Sequence, residues 1–322
     1  MKPTYYPKKM RVNDYEVEAS HPWNLTERCL EGSIPIEKTP KNSHFRYVSS
    51  KSHWLKDRHY VFGQRRMQVP KDVSYNHGRS SIQVIGSNFY GAKASINVWN
   101  PKLQSPEEFS VSQIWVATED LTNSLEAGWM VSSHQYGDTE TRFFTFWTAD
   151  QYKTGCYNVE CPGFVQINQQ MSLRARLQPV SVYGGRQYTI EVQIFKDKTS
   201  GNWWLLLQGV ELGYWPKELV PSLAEGASVI EWGGEVVNLK SHGKHTSTQM
   251  GSGHLSYEGF GKSSFFKNIQ FVDTSNKYND PKDVVFKIES PKCYDLHVGS
   301  VKDGPWGYFF FYGGPGRSDQ CT

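Results

Sequence analysis

The sequence predicts an all-β protein: an antiparallel two-sheet β-sandwich, jelly-roll-like, with a concave groove. Two observations carry the prediction. From about Ser81 onward, short runs of β-branched and aromatic residues recur, separated by Gly, Asn, Asp and Pro. Against these runs only 218–225 hints at a helical turn, and Pro221 interrupts it. The runs are long for an immunoglobulin module and show no fixed-period repeat, so one large sandwich fits better than several small domains.

Along the chain, residues 1–80 stand apart, rich in Lys, Arg, His and Pro and poor in long apolar runs. Within them Gly32–Ile36 reads as a short edge strand, because Pro35 removes a ladder donor. Ser50–Arg66 is basic and aromatic without periodicity and reads as a linker. Strand signals follow at Ala94–Trp99, Ser112–Ala117, Leu125–Val131, Arg142–Thr148 and Gly163–Asn168. They continue at Tyr188–Phe195, Trp203–Gln208, Ser228–Val237, Phe265–Val272, Val284–Ile288 and Tyr308–Tyr312.

Composition narrows the function classes. Hydrophobic residues are 38% and aromatics 14%, enough for a large core in 322 residues. A net charge of +3 is too mild to require nucleic acid as a partner. No run of 18 apolar residues occurs, so no membrane-spanning helix is expected. The basic cluster Lys8–Arg11 has no apolar stretch behind it, so no signal peptide is expected in this chain. Without a CxxC pair or an HExxH motif, neither zinc nor another metal or cofactor is expected. His242, His245 and His254, at mixed spacing on a Lys/Ser/Thr-rich stretch, read as solvated. Ser252 lacks a GxSxG elbow and is not read as a nucleophile. Asp138 and Arg142 read as a turn pair.

The five cysteines are Cys29, Cys156, Cys161, Cys293 and Cys321. Cys156 and Cys161 could close a small loop, and a Cys293–Cys321 bridge would anchor the C-terminus, the alternative being buried thiols in a reducing compartment. Closing a loop of about 30 residues contributes roughly 3–4 kcal/mol in the chain-entropy picture. Asn24-Leu25-Thr26 is an N-glycosylation sequon.

Side-chain alternation on three strands places four carboxylates off the core. Leu125, Ala127, Trp129 and Val131 share one face, leaving Glu126, Gly128 and Met130 on the other. Ile230, Trp232 and Val236 likewise leave Glu231, Gly233 and Glu235 opposite, unless Gly233-Gly234 forms a bulge. Tyr188, Ile190, Val192 and Ile194 point inward, with Glu191 and Gln193 outward. Glycine beside Glu126 and before Glu235, among many aromatics, resembles a groove floor for an extended peptide or oligosaccharide.

The motifs GAKASINVWNP at Gly91–Pro101, SVSQIWV at Ser110–Val116 and EAGWMV at Glu126–Val131 resemble the neprosin family of plant secreted proteins. So do YGDTETRFFTFWTAD at Tyr136–Asp150, GCYNVECPGFVQ at Gly155–Gln166, ELGYWPKELV at Glu211–Val220, EWGGEV at Glu231–Val236 and FYGGPG at Phe311–Gly316. RCLEGSIPIEKT at Arg28–Thr39 resembles part of that family's activation peptide. The resemblance implies a partial activation peptide and linker over 1–80 and a glutamic-peptidase sandwich over 81–322. It also implies cleavage on the carboxyl side of proline by two glutamates, which map onto Glu126 and Glu235. The same resemblance implies disulfides Cys156–Cys161 and Cys293–Cys321, with Cys29 left unpaired. A secreted, extracellular or vacuolar monomer follows, inhibited by its own prodomain, which is removed on acidification. Its partners would be extended proline-containing peptides or proteins, not nucleic acid or membrane. The chain departs from the family at Ser133, where Pro is usual, which puts Ser132–Gln135 forward as a stretch that sets substrate preference.

Two carboxyl groups can hydrolyse an amide if one is ionised and takes a proton from water while the other is protonated and donates. From sequence the two roles cannot be assigned, and activity is expected below about pH 5. Gln113, Gln193 and Tyr188 are candidates for binding the oxyanion or substrate. Trp129, Trp147, Trp204, Trp215 and Trp232 either line a proline pocket or fill the core. Two other functions fit a carboxylate-bearing groove: a two-carboxylate glycosidase, and a catalytically impaired cell-wall or carbohydrate-binding module.

Overall fold

A computed structural model describes residues 2–7, 29–30, 32–37, 73–241, 243–299 and 304–322. Asn24, Lys8–Arg11, Ser50–Arg66 and His242 lie outside the described residues. In chain order the strands are β1 (Val73–Phe89), β2 (Gly91–Asn97), β3 (Ser110–Ala117), β4 (Asn123–Val131), β5 (Arg142–Ala149), β6 (Thr154–Tyr157), β7 (Val165–Gln166) and β8 (Thr189–Lys196). They continue with β9 (Trp203–Leu207), β10 (Val210–Trp215), β11 (Ala227–Ser241), β12 (Ser264–Val272), β13 (Tyr278–Asn279), β14 (Val285–Ile288), β15 (Asp295–Val298) and β16 (Phe310–Gly313).

These strands form two antiparallel sheets. The first has seven strands in the order β14-β1-β11-β3-β4-β5-β6. The second has nine, in the order β15-β16-β12-β2-β8-β9-β10-β7 with β13 on β12. Alternation decides which side chains enter the space between them. Leu125, Ala127, Trp129, Ile230, Trp232 and Val236 of the first sheet meet Ala94, Ile96, Ile190, Val192 and Ile194 of the second in one continuous core. The fold is the expected two-sheet sandwich. No helix among the described residues is long and apolar enough to cross a membrane.

Some expectations need correction. The first strand begins at Val73, not near Ser81, so a boundary at residue 80 falls inside β1. Strands β1, β6, β10, β13 and β15 are not among those the sequence predicts, and β6, β13 and β15 are at most four residues long. Gly233 and Gly234 pair in unbroken register with Gln113 and Ser112, so no bulge intervenes there. The 218–225 stretch holds two short 3₁₀ turns, Lys217–Leu219 and Pro221–Leu223. Ser132–Gln135 enters a one-turn helix, α1 (Ser133–Tyr136), in which the Ser132 hydroxyl caps the Gln135 N–H. Ile36 makes an isolated parallel bridge to Leu173, a single pair where a short strand is expected.

Both expected disulfides are present, Cys156–Cys161 and Cys293–Cys321, and Cys29 is a free thiol. Asp138 and Arg142 pair at 2.6 Å, as the turn reading requires.

Candidate functional site

The face of the seven-stranded sheet turned away from the core carries a cavity of about 470 Å³. Its geometry follows from register. Gly233 on β11, Gln113 on β3 and Gly128 on β4 are Cα partners across three adjacent strands. A Cβ on Gly128 would run into the Ser112 carbonyl, and one on Gly233 into Ser81. Only glycine fits either place, so Gln113 supplies the row's one side chain. Glu126 lies two residues from Gly128, and Glu235 two residues from Gly233. Register places them on opposite sides of this row, so the two carboxylates flank Gln113 diagonally. Both line the cavity, and each is only 5% exposed.

Glu126 accepts hydrogen bonds from Gln113 Nε2 (3.0 Å), Ser124 Oγ (3.0 Å) and Tyr152 Oη (2.9 Å). Tyr152 reaches it from a turn in which Asp150, Gln151 and Tyr152 have φ of 52°, 57° and 64°. Three successive non-glycine residues in the left-handed region carry strain on the order of 1 kcal/mol each. Glu235 faces basic side chains instead. His77 Nδ1 lies 2.5 Å and Arg79 Nη2 3.1 Å from its Oε1. Both come from β1, where Arg79 is the Cα partner of Glu235. The Arg79 guanidinium also lies over the Trp115 ring, 5.7 Å from its centroid.

These surroundings push the two carboxyl groups apart. Burial, then the Glu235 charge, lifts Glu126 to about 7, although the Tyr152 and Ser124 hydrogen bonds pull the other way. Burial also acts to raise Glu235, but the charges of Arg79 and His77 outweigh it and bring that carboxyl down to about 2. Burial works against the Arg79 charge, yet Glu235 and Glu231 hold its pKa above the ordinary value. Burial and the Glu126 charge keep the Tyr152 hydroxyl protonated, so it remains a donor. One carboxylic acid and one carboxylate therefore coexist in a single groove, the condition for acid–base work.

At the Glu126 end the cavity has an aromatic wall. Phe146 and Tyr157 rings are 4.5 Å apart, and Phe146 and Tyr152 stack at 6.4 Å with 15° between planes. Phe144 and Trp115 complete it.

Of the residues read from sequence, Glu126, Glu235 and Gln113 come together here. Gln193 does not: it lies on β8 in the other sheet, opposite Lys93 and Leu206. Tyr188 precedes that strand, and its carbonyl accepts from Asn97. Neither lines the groove. Alternation tells which face a residue takes, not which sheet it belongs to, and both were misplaced for that reason. Trp129, Trp147, Trp204, Trp215 and Trp232 are all buried and none lines the groove. Ser132–Gln135 stays outside the lining as well. Glu231 accepts from Ser81 Oγ at 2.6 Å. Glu191 pairs with Lys93 at 2.8 Å. His254 faces Glu258 at 2.9 Å. His245 sits near Cys293 and Cys321, but both sulfurs are committed to the disulfide and offer no thiolate.

Sequence reasoning missed His77, Arg79, Trp115 and Tyr152. Trp115 had a usable signal: it shares the phase of Gln113, on the face opposite Ile114 and Val116.

Several solved structures are remotely similar to this chain. Scytalido-glutamic peptidase with a peptide-based transition-state analogue is 12% identical, with a TM-score of 0.39, covering 74% of this chain and 98% of that one. SCP-B, a member of the Eqolisin family of peptidases, is 11% identical with a TM-score of 0.40 over the same shares. CG-16, a homodimeric agglutinin from chicken liver, is 11% identical with a TM-score of 0.26, covering 50% of this chain and 96% of that one. Likenesses this remote do not speak to chemistry. The sequence itself does: the Neprosin family model matches residues 106–315, a span that holds Gln113, Glu126, Tyr152 and Glu235. The chain belongs to the Neprosin family, and is thus an enzyme of the glutamic-peptidase kind.

Proposed function

We propose that this protein is an acid-active endopeptidase that hydrolyses peptide bonds on the carboxyl side of proline, with Glu126 and Glu235 as its catalytic residues. The observation that carries the reading is the split pair: Glu235 held ionised by Arg79 and His77, Glu126 held protonated by burial. Glu235 takes a proton from a water molecule, whose oxygen attacks the scissile carbonyl carbon. Gln113, between the two carboxyl groups, supplies a neutral N–H to the oxyanion. Glu126 gives its proton to the departing nitrogen, the C–N bond breaks, and the proton gained by Glu235 returns the pair to its starting state. A proline ring is apolar, rigid and has no N–H to satisfy, so the Phe146–Tyr152–Tyr157 wall suits it where the core tryptophans cannot.

The pH range follows from the same pair. A base near 2 and an acid near 7 predict activity between those limits, broader than the sequence expectation of below pH 5. The N-terminal region, in this reading, is an incomplete activation peptide whose removal must stop short of Val73. A cut at residue 80 would take away His77 and Arg79, the two basic side chains on Glu235. The disulfides suit a secretory route to an extracellular or vacuolar compartment. The test is digestion of a proteome-derived peptide library from pH 2 to 8 by wild type, Glu126→Gln and Glu235→Gln. Cleavage after proline that both variants abolish is expected. Full activity in either variant refutes the mechanism, and cleavage without proline preference refutes the specificity.

A further inference from the structure

The outward face of the nine-stranded sheet breaks the rule that solvent-side positions are polar. Phe195 on β8, Trp204 on β9 and Tyr214 on β10 are Cα partners, one aromatic row across three adjacent strands. The next row is Gln193, Leu206 and Glu211. Alternation turns Phe195 and Leu206 away from the core entered by Ile194 and Leu205. Yet Phe195 and Trp204 are fully buried. The Trp204 indole N–H has no hydrogen-bond partner among the described residues.

The chain's own start lies on this face. Pro3 and Pro7 are buried while Thr4, Tyr5 and Tyr6 between them are exposed, the pattern of an extended strap seated by its ends. Thr4 N and Oγ1 donate to Asp197 Oδ2 and Oδ1 at 3.1 and 2.7 Å. The Tyr6 ring lies 5.8 Å from that of Phe195, and its hydroxyl donates to Glu211. The contacts recognise chemistry rather than mere apolarity. Two carboxylates take a backbone N–H and two hydroxyls, and an aromatic row takes a ring. Proline suits the seated positions because it holds the chain extended and brings no N–H to bury.

We infer that this face is a second peptide-binding site, distinct from the groove on the opposite sheet. Its ligand is an extended segment with two prolines four residues apart around a Thr/Tyr core. In this chain residues 2–7 occupy it. When they leave, a segment of the same chemistry on another polypeptide takes their place. The inference does not rest on the peptidase reading, since it concerns binding at residues the catalytic pair never touches.

The test uses full-length protein and a fluorescent peptide of sequence Lys-Pro-Thr-Tyr-Tyr-Pro, followed by anisotropy at pH 6. Glu126→Gln is present in every sample to suppress cleavage. Loosening the strap with Thr4→Ala and Tyr6→Ala, both at exposed positions, should let the peptide bind saturably. Binding should be at least tenfold tighter than to protein with the intact strap. Adding Glu211→Gln to the protein, or replacing the peptide's second tyrosine by phenylalanine, should each weaken binding severalfold or more. The peptide change leaves the protein's folding untouched. Equal binding to loosened and intact protein overturns the inference, as does the absence of saturable binding. Binding indifferent to both the Glu211 change and the lost hydroxyl places the peptide elsewhere and overturns it too.

Discussion

Replacing Glu126 by glutamine should abolish turnover and yet stabilise the protein above neutral pH. The folded-state pKa of Glu126 is raised from the ordinary 4.5 to about 7, so ionising it opposes folding. Below pH 4.5 the group is neutral in both folded and unfolded chains and contributes nothing. Between 4.5 and about 7 the unfolded chain ionises while the folded one resists, and stability falls. Above 7 the loss is complete, and a rise of this size corresponds to about 3 kcal/mol. Glutamine keeps the shape and never ionises. Its amide oxygen can accept from Ser124 and Tyr152 as the carboxylate does. Its amide nitrogen then faces Gln113, whose Oε1 has no partner in the present arrangement. Turning the Gln113 amide by half a revolution brings that oxygen round to accept. Thermal unfolding of wild type and Glu126→Gln should therefore coincide near pH 4.5. At pH 8 they should diverge in favour of the variant, on the order of 6 °C for a domain of this size. Glu235→Gln should behave oppositely. The folded pKa of Glu235 is depressed to about 2, so its contribution is present above 4.5 and is lost as pH falls through 2. Its removal also strands Arg79, so the variant should be less stable than wild type at pH 8. Two inactive variants whose melting temperatures move in the same direction at pH 8 would refute this account of how the pair is split.

Other perturbations follow from the same contacts. Arg79→Ala removes the strongest influence holding Glu235 low, so the acid limb of the pH–rate profile should move up from about 2, with activity at pH 3 falling more than at pH 6. Tyr152→Phe deletes a hydrogen bond that favours ionised Glu126, so the alkaline limb should move up, read from the same profile. Gly128→Ala drives a Cβ into the Ser112 carbonyl and should cost at least about 1–3 kcal/mol in urea unfolding. Cys293→Ser with Cys321→Ser opens a loop with a sequence separation of 28 and should cost about 4 kcal/mol by the same measurement.

Much of this architecture was legible where a strand has one dry face. Leu125, Ala127, Trp129 and Val131 define such a face unaided, and Glu126 is placed by exclusion. The same logic placed Glu235, and it held because β11 runs through Gly233-Gly234 without a bulge. Legibility failed where a strand's partners, not its own residues, supply the pattern. Within β1, residues 76–80 read as part of the N-terminal segment, because the strand's apolar contribution begins only at Ile82 and Val84. That stretch nevertheless delivers both His77 and Arg79 to Glu235, through a fourteen-pair register with β11 that no local feature announces. Gln193 shows the complementary failure. It and Gln113 have equal claims as outward-facing glutamines, and only the strand order separates them by a whole sheet.

The pair's division of labour was beyond the sequence for a related reason. EAGW and WGGEV present two glutamates in similar local settings, each near glycine and tryptophan. What distinguishes them is who stands opposite: three neutral donors around Glu126, a guanidinium and an imidazole beside Glu235. Neutral donors cannot offset burial of a charge as a guanidinium can, so one carboxyl keeps its proton and the other loses it. The asymmetry originates on β1, next to β11 and on the far side of it from β4. Neither Arg79 nor His77 lies within residues 106–315, the span of the family match. The segment preceding that span therefore helps set the ionisation of Glu235, and a chain cut to the matched residues alone would lack the Arg79 and His77 side chains beside it.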